Sequence, residues 1–286
     1  MPNVGSVAVV PVISGFRPEI QALRALAVTL VIVYHLATPL LPGGYIGVDV
    51  FFVISGYLIT SHLGKELRST GSIKFRIFYL KRAKRLLPMA LLVLLASLVA
   101  TIAFLPRLYW LTSGLQISAS SLYVENWLLA GNSVNYLAQA NAQSPVQQFW
   151  SLSLEEQFYL FWPLALVAVA LLSRKARFKL TRSLVFLVIV VGTGSLIGSI
   201  LLTNFAPGLA YFLTPTRMWE FCLGAIVWLL AEKSKLPSWA NNALSLTGMA
   251  VIFIAAFTFN DLTPFPGYLA LIPCVGAVLV IWAGTP

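Results

Sequence analysis

Charged residues are scarce in this chain: Asp, Glu, Lys and Arg make up 10% of its 286 residues, whereas a soluble domain carries about 25%. Apolar residues make up 59% of the sequence, and the mean hydropathy is +0.86. So few charges and so large an apolar fraction exclude an ordinary water-soluble domain. The composition instead indicates a protein embedded in a lipid bilayer.

Cysteine and histidine are also scarce, with two of each. Cys222 and Cys274 lie in apolar segments and form no Cys-x-x-Cys or Cys/His cluster, so we expect two buried thiols and no metal site. The net charge is +10, but the basic residues fall in blocks between apolar segments, without interleaved aromatic residues. The positive-inside rule explains such blocks, and no nucleic-acid partner is expected.

About 20 consecutive apolar residues are needed to cross a bilayer. Residues 1–15 lack the basic region of a cleaved signal peptide, and we expect them to form a disordered tail. Residues 16–286 are then one transmembrane domain with about nine apolar segments, which predicts an all-α fold, a polytopic membrane helix bundle. The predicted segments are 22–41, 46–64, 86–105, 108–130, 148–172, 183–204, 210–231, 240–259 and 264–284.

The basic residues predict the orientation of these segments. Four groups hold 17 of the 19 Lys and Arg residues: one precedes segment one, one follows segment two, one follows segment five and one follows segment seven. All four should be cytoplasmic. Three full crossings between the second and third groups cannot return the chain to the same side, so one segment must fail to cross. We expect a re-entrant or broken helix at 108–130, which is the most polar segment; the alternative is that one basic group is misassigned.

Five of the nine acids fall inside apolar segments, where each costs on the order of 3 kcal/mol at a helix centre; they are Asp49, Glu125, Glu155, Glu156 and Glu220. Arg217 lies three residues before Glu220 on the same helical face, so these two should pair, either to lock helices together or to hold a substrate-contacting group. Glu155 and Glu156 point about 100° apart and cannot share one partner. Nearby aromatic residues, among them Trp150, form either an interfacial belt or the wall of a ligand groove.

His35 is a further ionisable residue in an apolar segment. It follows Arg24 by eleven residues, about 16 Å along a helix, so we expect it around or just beyond the middle of the membrane. It either makes a hydrogen bond between helices or accepts a proton from a substrate hydroxyl, with Asp49 orienting its ring.

Arg82 and Arg85 lie three apart on one helical face at a predicted cytoplasmic boundary. Guanidinium groups in that arrangement suit phosphate. The alternatives are that they bind anionic lipid headgroups or that they only set the topology of the chain.

Five stretches in one order resemble the membrane acyltransferase-3 family, integral-membrane O-acyltransferases that modify bacterial cell-envelope polysaccharides. They are FRPEIQALRALAVTLVIVYH, GGYIGVDVFFVISGYLIT, FYLKRAKRLLP, FWSLSLEEQFYLFWPL and TRMWEFCLGA. Five stretches in the family's order, between about residues 16 and 230, are far more specific than any single motif.

The resemblance implies that an acyl group, commonly acetyl, passes from cytoplasmic acyl-CoA to a hydroxyl of an envelope polysaccharide or glycolipid. Acyl-CoA is then a donor substrate, with no permanently bound cofactor, in a multi-pass protein of the plasma (inner) membrane whose N-terminus is cytoplasmic. His35 would act as general base or transient acyl carrier, and Arg82 and Arg85 would bind the CoA phosphates. The remaining candidates are catalytic Arg24, Asp49, Glu155 and Glu156, and substrate-path Arg217, Glu220 and Trp150.

The sequence departs from the family at its end. Family members typically continue with at least one more helix bearing a Tyr/Trp/His-rich block, whereas this sequence stops at WAGTP, so we expect a domain incomplete at its C-terminus. Two other functions stay open: a transporter or flippase whose buried charges form a path without chemistry, and an inactive member of the family.

Overall fold

The computed structural model describes residues 17–134, 144–231 and 236–284, and within these ranges it is helical, with no strand. The predicted tail at 1–15 lies outside the described residues. The helices are α1 (Pro18–Leu36), α2 (Gly47–Thr70), α3 (Phe75–Phe104), α4 (Trp110–Ser121), α5 (Glu125–Val134), α6 (Phe149–Lys175), α7 (Leu180–Phe205), α8 (Pro207–Phe212), α9 (Thr214–Ala231), α10 (Ser238–Thr258) and α11 (Leu271–Ala283).

Six helices of the described residues are long and apolar enough to cross a membrane: α1, α2 with its preceding turn, α3, α6, α7 and α10. α9, with 18 residues, and α11, with 13, are apolar helices that pack among them. The predicted all-α polytopic membrane bundle is therefore confirmed.

The region between α3 and α6 agrees with the prediction that segment 108–130 does not cross. It forms α4 and α5, of 12 and 10 residues, which extend about 18 and 15 Å and are too short for a hydrocarbon core of about 30 Å. Among the described residues, only α3 and α6 can then cross between the second and third basic groups. Two crossings return the chain to the side from which it started.

α2 is the central helix and is mostly buried, whereas few residues of α3 and α7 are fully buried. α9 packs along α2 with direct backbone contact. A Cβ atom added to Gly56 would lie 2.0 Å from the Phe221 carbonyl oxygen, and one added to Gly224 would lie 1.9 Å from that of Val53. Only glycine at both positions permits this close crossing, which is typical of membrane helices.

The two ends of the bundle are identified by contacts between distant helices. At one end, Nη2 of Arg17 donates to the Ile281 carbonyl at 2.8 Å, which joins the start of α1 to the end of α11. At the opposite end, the Gly43 amide donates to the Ala256 carbonyl at 2.9 Å, which joins the turn before α2 to the end of α10. The candidate site lies at this second end.

Candidate active site

A cavity of about 1040 Å³ lies at the end of α1 that is far from Arg17. Five parts of the chain line it: the last turns of α1, residues 45–48, residues 144–151, residues 203–212 and the loop 260–265. Its wall is rich in aromatic rings, contributed by Tyr34, Tyr45, Trp150, Tyr211, Phe212 and Phe265. Trp150, predicted on the substrate path, packs against Tyr211 with ring centroids 4.8 Å apart. A cavity of this size has room for a sugar-sized ligand.

His35 lies in the last turn of α1 and lines this cavity. His35 thus lies at the end of α1 far from Arg17, whereas its expected position was around or just beyond the middle of the membrane. Its Nδ1 is 2.8 Å from the Val31 carbonyl oxygen. Because a carbonyl oxygen only accepts hydrogen bonds, we assign the ring proton to Nδ1, which leaves the Nε2 lone pair free to accept a proton.

The expected pairing of Asp49 with His35 is wrong, because the Asp49 carboxylate lies 3.0 Å from Nη1 of Arg217. Arg24 does not contact His35 either. It is half-buried nearly two turns after the start of α1, and its Nη1 lies 3.5 Å from Oε1 of Gln21. The ring of His35 is oriented by the helix backbone instead of by a carboxylate.

Arg217, Asp49 and Glu220 form a fully buried ionic cluster, which we call the Arg217 triad. Nη1 of Arg217 is 2.8 Å from Oε1 of Glu220, as their spacing predicted, and 3.0 Å from Oδ1 of Asp49. The guanidinium carbon also lies 5.3 Å from the centroid of the Tyr211 ring and 5.5 Å from that of Phe265. Since both rings line the cavity, the triad lies directly behind the cavity wall.

Cys274 is close to the same cluster: its sulfur and the carboxylate oxygens of Asp49 and Glu220 lie within 4.8 Å of one another. Such a set of donor atoms can hold a metal ion. In this protein the guanidinium of Arg217 lies between the two carboxylates and supplies the compensating positive charge.

Glu155 and Glu156 have different partners, as the angle between adjacent helical positions predicted. Oε1 of Glu155 accepts hydrogen bonds from Ser55 Oγ at 2.6 Å and from the Tyr159 hydroxyl. Oε1 of Glu156 lies 2.6 Å from Nη2 of Arg82. The Arg82 guanidinium also stacks 3.4 Å above the centroid of the Tyr159 ring, so the two carboxylates belong to one cluster between α2, α3 and α6.

This cluster bears on the predicted CoA-binding role of Arg82 and Arg85. Arg82 is half-buried and engaged by Glu156, whereas Arg85 is exposed on the same helix. In the described part of the chain the two guanidinium groups share no common partner. Their binding to CoA phosphates stays a prediction.

Several residues of the cavity were not anticipated from the sequence, notably Tyr34, Tyr45, Tyr211 and Asp261. Asp261 lies between two predicted apolar segments, which gave no reason to single it out, although it is the only charged residue after Lys235. Burial raises the pKa of the Tyr211 hydroxyl above its ordinary value, so this group stays neutral beside the cavity.

The fold and the site together define an integral-membrane protein with a histidine in an aromatic cavity. Residues 17–286 match the family described as an acyltransferase domain, and the chain belongs to this acyltransferase-3 family.

Three relatives place the chain within the family. It is 36% identical over 255 residues (87% of this chain, 41% of the relative) to "Putative O-acetyltransferase" of Staphylococcus aureus strain MSSA476. It is 33% identical over 275 residues (93% and 43%) to "Putative peptidoglycan O-acetyltransferase YrhL" of Bacillus subtilis strain 168. It is 32% identical over 285 residues (95% and 44%) to peptidoglycan O-acetyltransferase OatA of Listeria monocytogenes. The chain thus spans about two-fifths of the length of these relatives. No solved structure matches it.

Proposed function

We propose that this chain is the membrane-embedded part of an O-acetyltransferase that moves an acetyl group from acetyl-CoA to a hydroxyl of a cell-envelope carbohydrate. The observation that carries the proposal is the placement of His35 in a large aromatic cavity, with its Nδ1 held 2.8 Å from the Val31 carbonyl oxygen. Membership of an acyltransferase family and the names of the relatives support the acetyl group and the carbohydrate acceptor.

In the proposed reaction Nε2 of His35 removes the proton from the acceptor hydroxyl as its oxygen attacks the thioester carbonyl. The C–O bond of the ester forms, the C–S bond breaks, and the proton passes from His35 to the departing thiolate of CoA. The Val31 carbonyl holds the opposite edge of the imidazole throughout. Base assistance of this kind contributes roughly 10²- to 10⁴-fold in rate, and confining the two reactants in one cavity contributes further.

The donor has to approach from the other end of the bundle if the basic groups are cytoplasmic. Arg17 precedes α1 and His35 ends it, a separation of about 27 Å along the helix. The proposal therefore places the N-terminus in the cytoplasm and the cavity near the outer face of the plasma membrane. Arg85 is exposed on α3 and would bind a CoA phosphate at the cytoplasmic end of the bundle. Arg82 would support donor binding at the same end through its contact with Glu156.

The proposal is tested by acetyl transfer from radiolabelled acetyl-CoA to isolated envelope polysaccharide, with the chain in membrane vesicles. His35→Ala should lower the transfer rate at least about 100-fold. The matched control is His62→Ala, because His62 is the other histidine of the chain and is exposed on α2. It should leave the rate unchanged. Transfer that persists in His35→Ala, or no transfer by the unmodified chain, would contradict the proposal.

A further inference from the structure

Asp261 lies in the loop between α10 and α11 and lines the same cavity as His35. Hydrogen bonds within the loop hold residues 260–263 in a turn. The Asn260 amide donates to Oγ1 of Thr263 at 3.0 Å, and the Leu262 amide donates to Oδ1 of Asn260 at 2.9 Å. Asp261 is therefore carried on an ordered turn of the kind that Asn side chains stabilise.

Two tyrosines near the start of the chain hold this turn beside the cavity through hydrogen bonds. The Tyr34 hydroxyl donates to Oδ1 of Asp261 at 3.0 Å, and the Tyr45 hydroxyl donates to the Asn260 carbonyl at 3.3 Å. Tyr34 also contacts the His35 ring edge-on, with centroids 5.3 Å apart. The carboxylate is thus held near the proposed base, and its second oxygen is left for a ligand.

The charge of the cavity is unusual for a protein that handles CoA. Among the described residues that line it, Asp261 is the one carboxylate, and no Lys or Arg lines it. A bound anion would find no Lys or Arg beside it and would face the like charge of Asp261, which is itself exposed. The cavity therefore disfavours phosphates and carboxylates.

The remaining lining groups suit an uncharged ring that carries hydroxyls. Aromatic rings offer apolar faces against which the C–H face of a sugar can pack. The side chains of Gln147, Gln148 and Asn260 supply neutral donors and acceptors. A hydroxyl that donates to the Asp261 carboxylate makes a charge-assisted hydrogen bond, which is stronger than one between neutral groups.

We propose that Asp261 is a specificity-determining residue: it accepts a hydrogen bond from an uncharged sugar ring in the cavity and rejects sugars that carry a carboxylate or phosphate. The proposal deepens the proposed function, since it names the class of acceptor for that site. Binding does not require the chemical step, however, and the two can be tested separately.

The test uses two probes that differ at one carbon, p-nitrophenyl β-D-glucopyranoside and p-nitrophenyl β-D-glucuronide. Their dissociation constants are measured by calorimetry on the whole chain, purified in a detergent without a sugar headgroup. The unmodified protein should bind the glucoside at least about tenfold more tightly than the glucuronide. Asp261→Asn should weaken glucoside binding by about 10- to 100-fold and remove most of the discrimination between the two probes.

Two further variants separate this role from structural damage and from catalysis. Tyr34→Phe keeps the ring but frees the carboxylate, so it should weaken glucoside binding less than Asp261→Asn does. His35→Ala should abolish acetyl transfer and leave glucoside binding in place. If the unmodified protein binds the glucoside in an Asp261-dependent way but transfers no acetyl group, only the proposed reaction is rejected. Equal binding of the two probes, binding of neither, or an unchanged glucoside affinity in Asp261→Asn would overturn the role of Asp261.

Discussion

Replacing Arg217 by methionine should destabilise the folded bundle by about 3–5 kcal/mol. The guanidinium is fully buried, with Nη1 3.0 Å from Asp49 and 2.8 Å from Glu220. Methionine keeps a flexible unbranched stem but removes the positive charge. Two fully buried carboxyl groups are then left side by side without a cation, and each must either take up a proton or stay charged at a high cost.

The measurement is thermal unfolding of the purified protein in detergent, where a loss of this size lowers the midpoint by on the order of 10 °C. The matched control is Arg85→Met, the same substitution at an exposed position of α3, which should change the stability by less than about 0.5 kcal/mol. A triple variant that adds Asp49→Asn and Glu220→Gln to Arg217→Met removes every charge from the cluster. It should recover most of the lost stability, because neutral groups in place of a buried ionic cluster are often tolerated.

The reasoning is refuted by either of two results. If Arg217→Met unfolds at the same temperature as the unmodified protein, the Arg217 triad does not stabilise the bundle. If the triple variant is no more stable than Arg217→Met, the loss comes from packing around the guanidinium stem and not from the uncompensated carboxylates.

Two other substitutions test the remaining contacts. Gly224→Ala should separate α2 from α9 and destabilise the protein by about 1–3 kcal/mol in thermal unfolding. The control is Gly198→Ala, whose added Cβ meets no atom within 4 Å and which should be neutral or slightly stabilising. Equal effects of the two substitutions would contradict the backbone contact. Arg82→Gln should lower the stability by about 1–3 kcal/mol, between the values for exposed and buried pairs, because Glu156 loses its cation. If Arg82→Gln instead raises the KM for acetyl-CoA and leaves the unfolding midpoint unchanged, the arginine serves the donor and not the ion pair.

The long helices were predictable because run length and hydropathy report directly on what a bilayer accepts. α3 is the informative exception, since it begins at Phe75, eleven residues before the predicted edge at 86. The stretch FRIFYLKRAKR is basic and lies outside the predicted apolar segment 86–105, although Arg82 and Arg85 within it were expected on one helical face. Lys and Arg extend their long side chains toward water while their backbone stays helical, so hydropathy found the apolar part of this helix and missed its basic first turns.

Within the site, local pairs were predictable and distant ones were not. The contact of Arg217 with Glu220 follows from a three-residue helical spacing alone. The contact of Arg217 with Asp49 joins α9 to α2, and that of Tyr34 with Asp261 joins α1 to the loop before α11. No periodicity in one sequence specifies which helices are neighbours, so the partner of Asp49 was assigned wrongly and Asp261 was overlooked.

One face of α2 joins the buried polar groups to each other. Asp49, Phe52 and Ser55 follow at three-residue steps, so each neighbours the next along a line that turns by about 120° around the helix. Asp49 pairs with Arg217, and Ser55 donates to Glu155. Phe52 lies between them, with the Arg217 guanidinium 5.7 Å from its ring centroid. The two ionic clusters are thus separated by an aromatic ring and positioned by a single helix.

The contact between Gly56 and α9 decides whether this face meets its partners. A helix that slid by one residue would turn its face by about 100° and carry Asp49 away from Arg217. Such slippage is opposed because the α9 backbone fits only against glycine: a Cβ at Gly56 would lie 2.0 Å from the carbonyl oxygen of Phe221. Any neighbouring residue brought to that place carries a side chain and would clash. Backbone contact therefore fixes the register of α2 against α9, and the fixed register in turn brings the charges of the Arg217 triad together behind the wall of the His35 cavity.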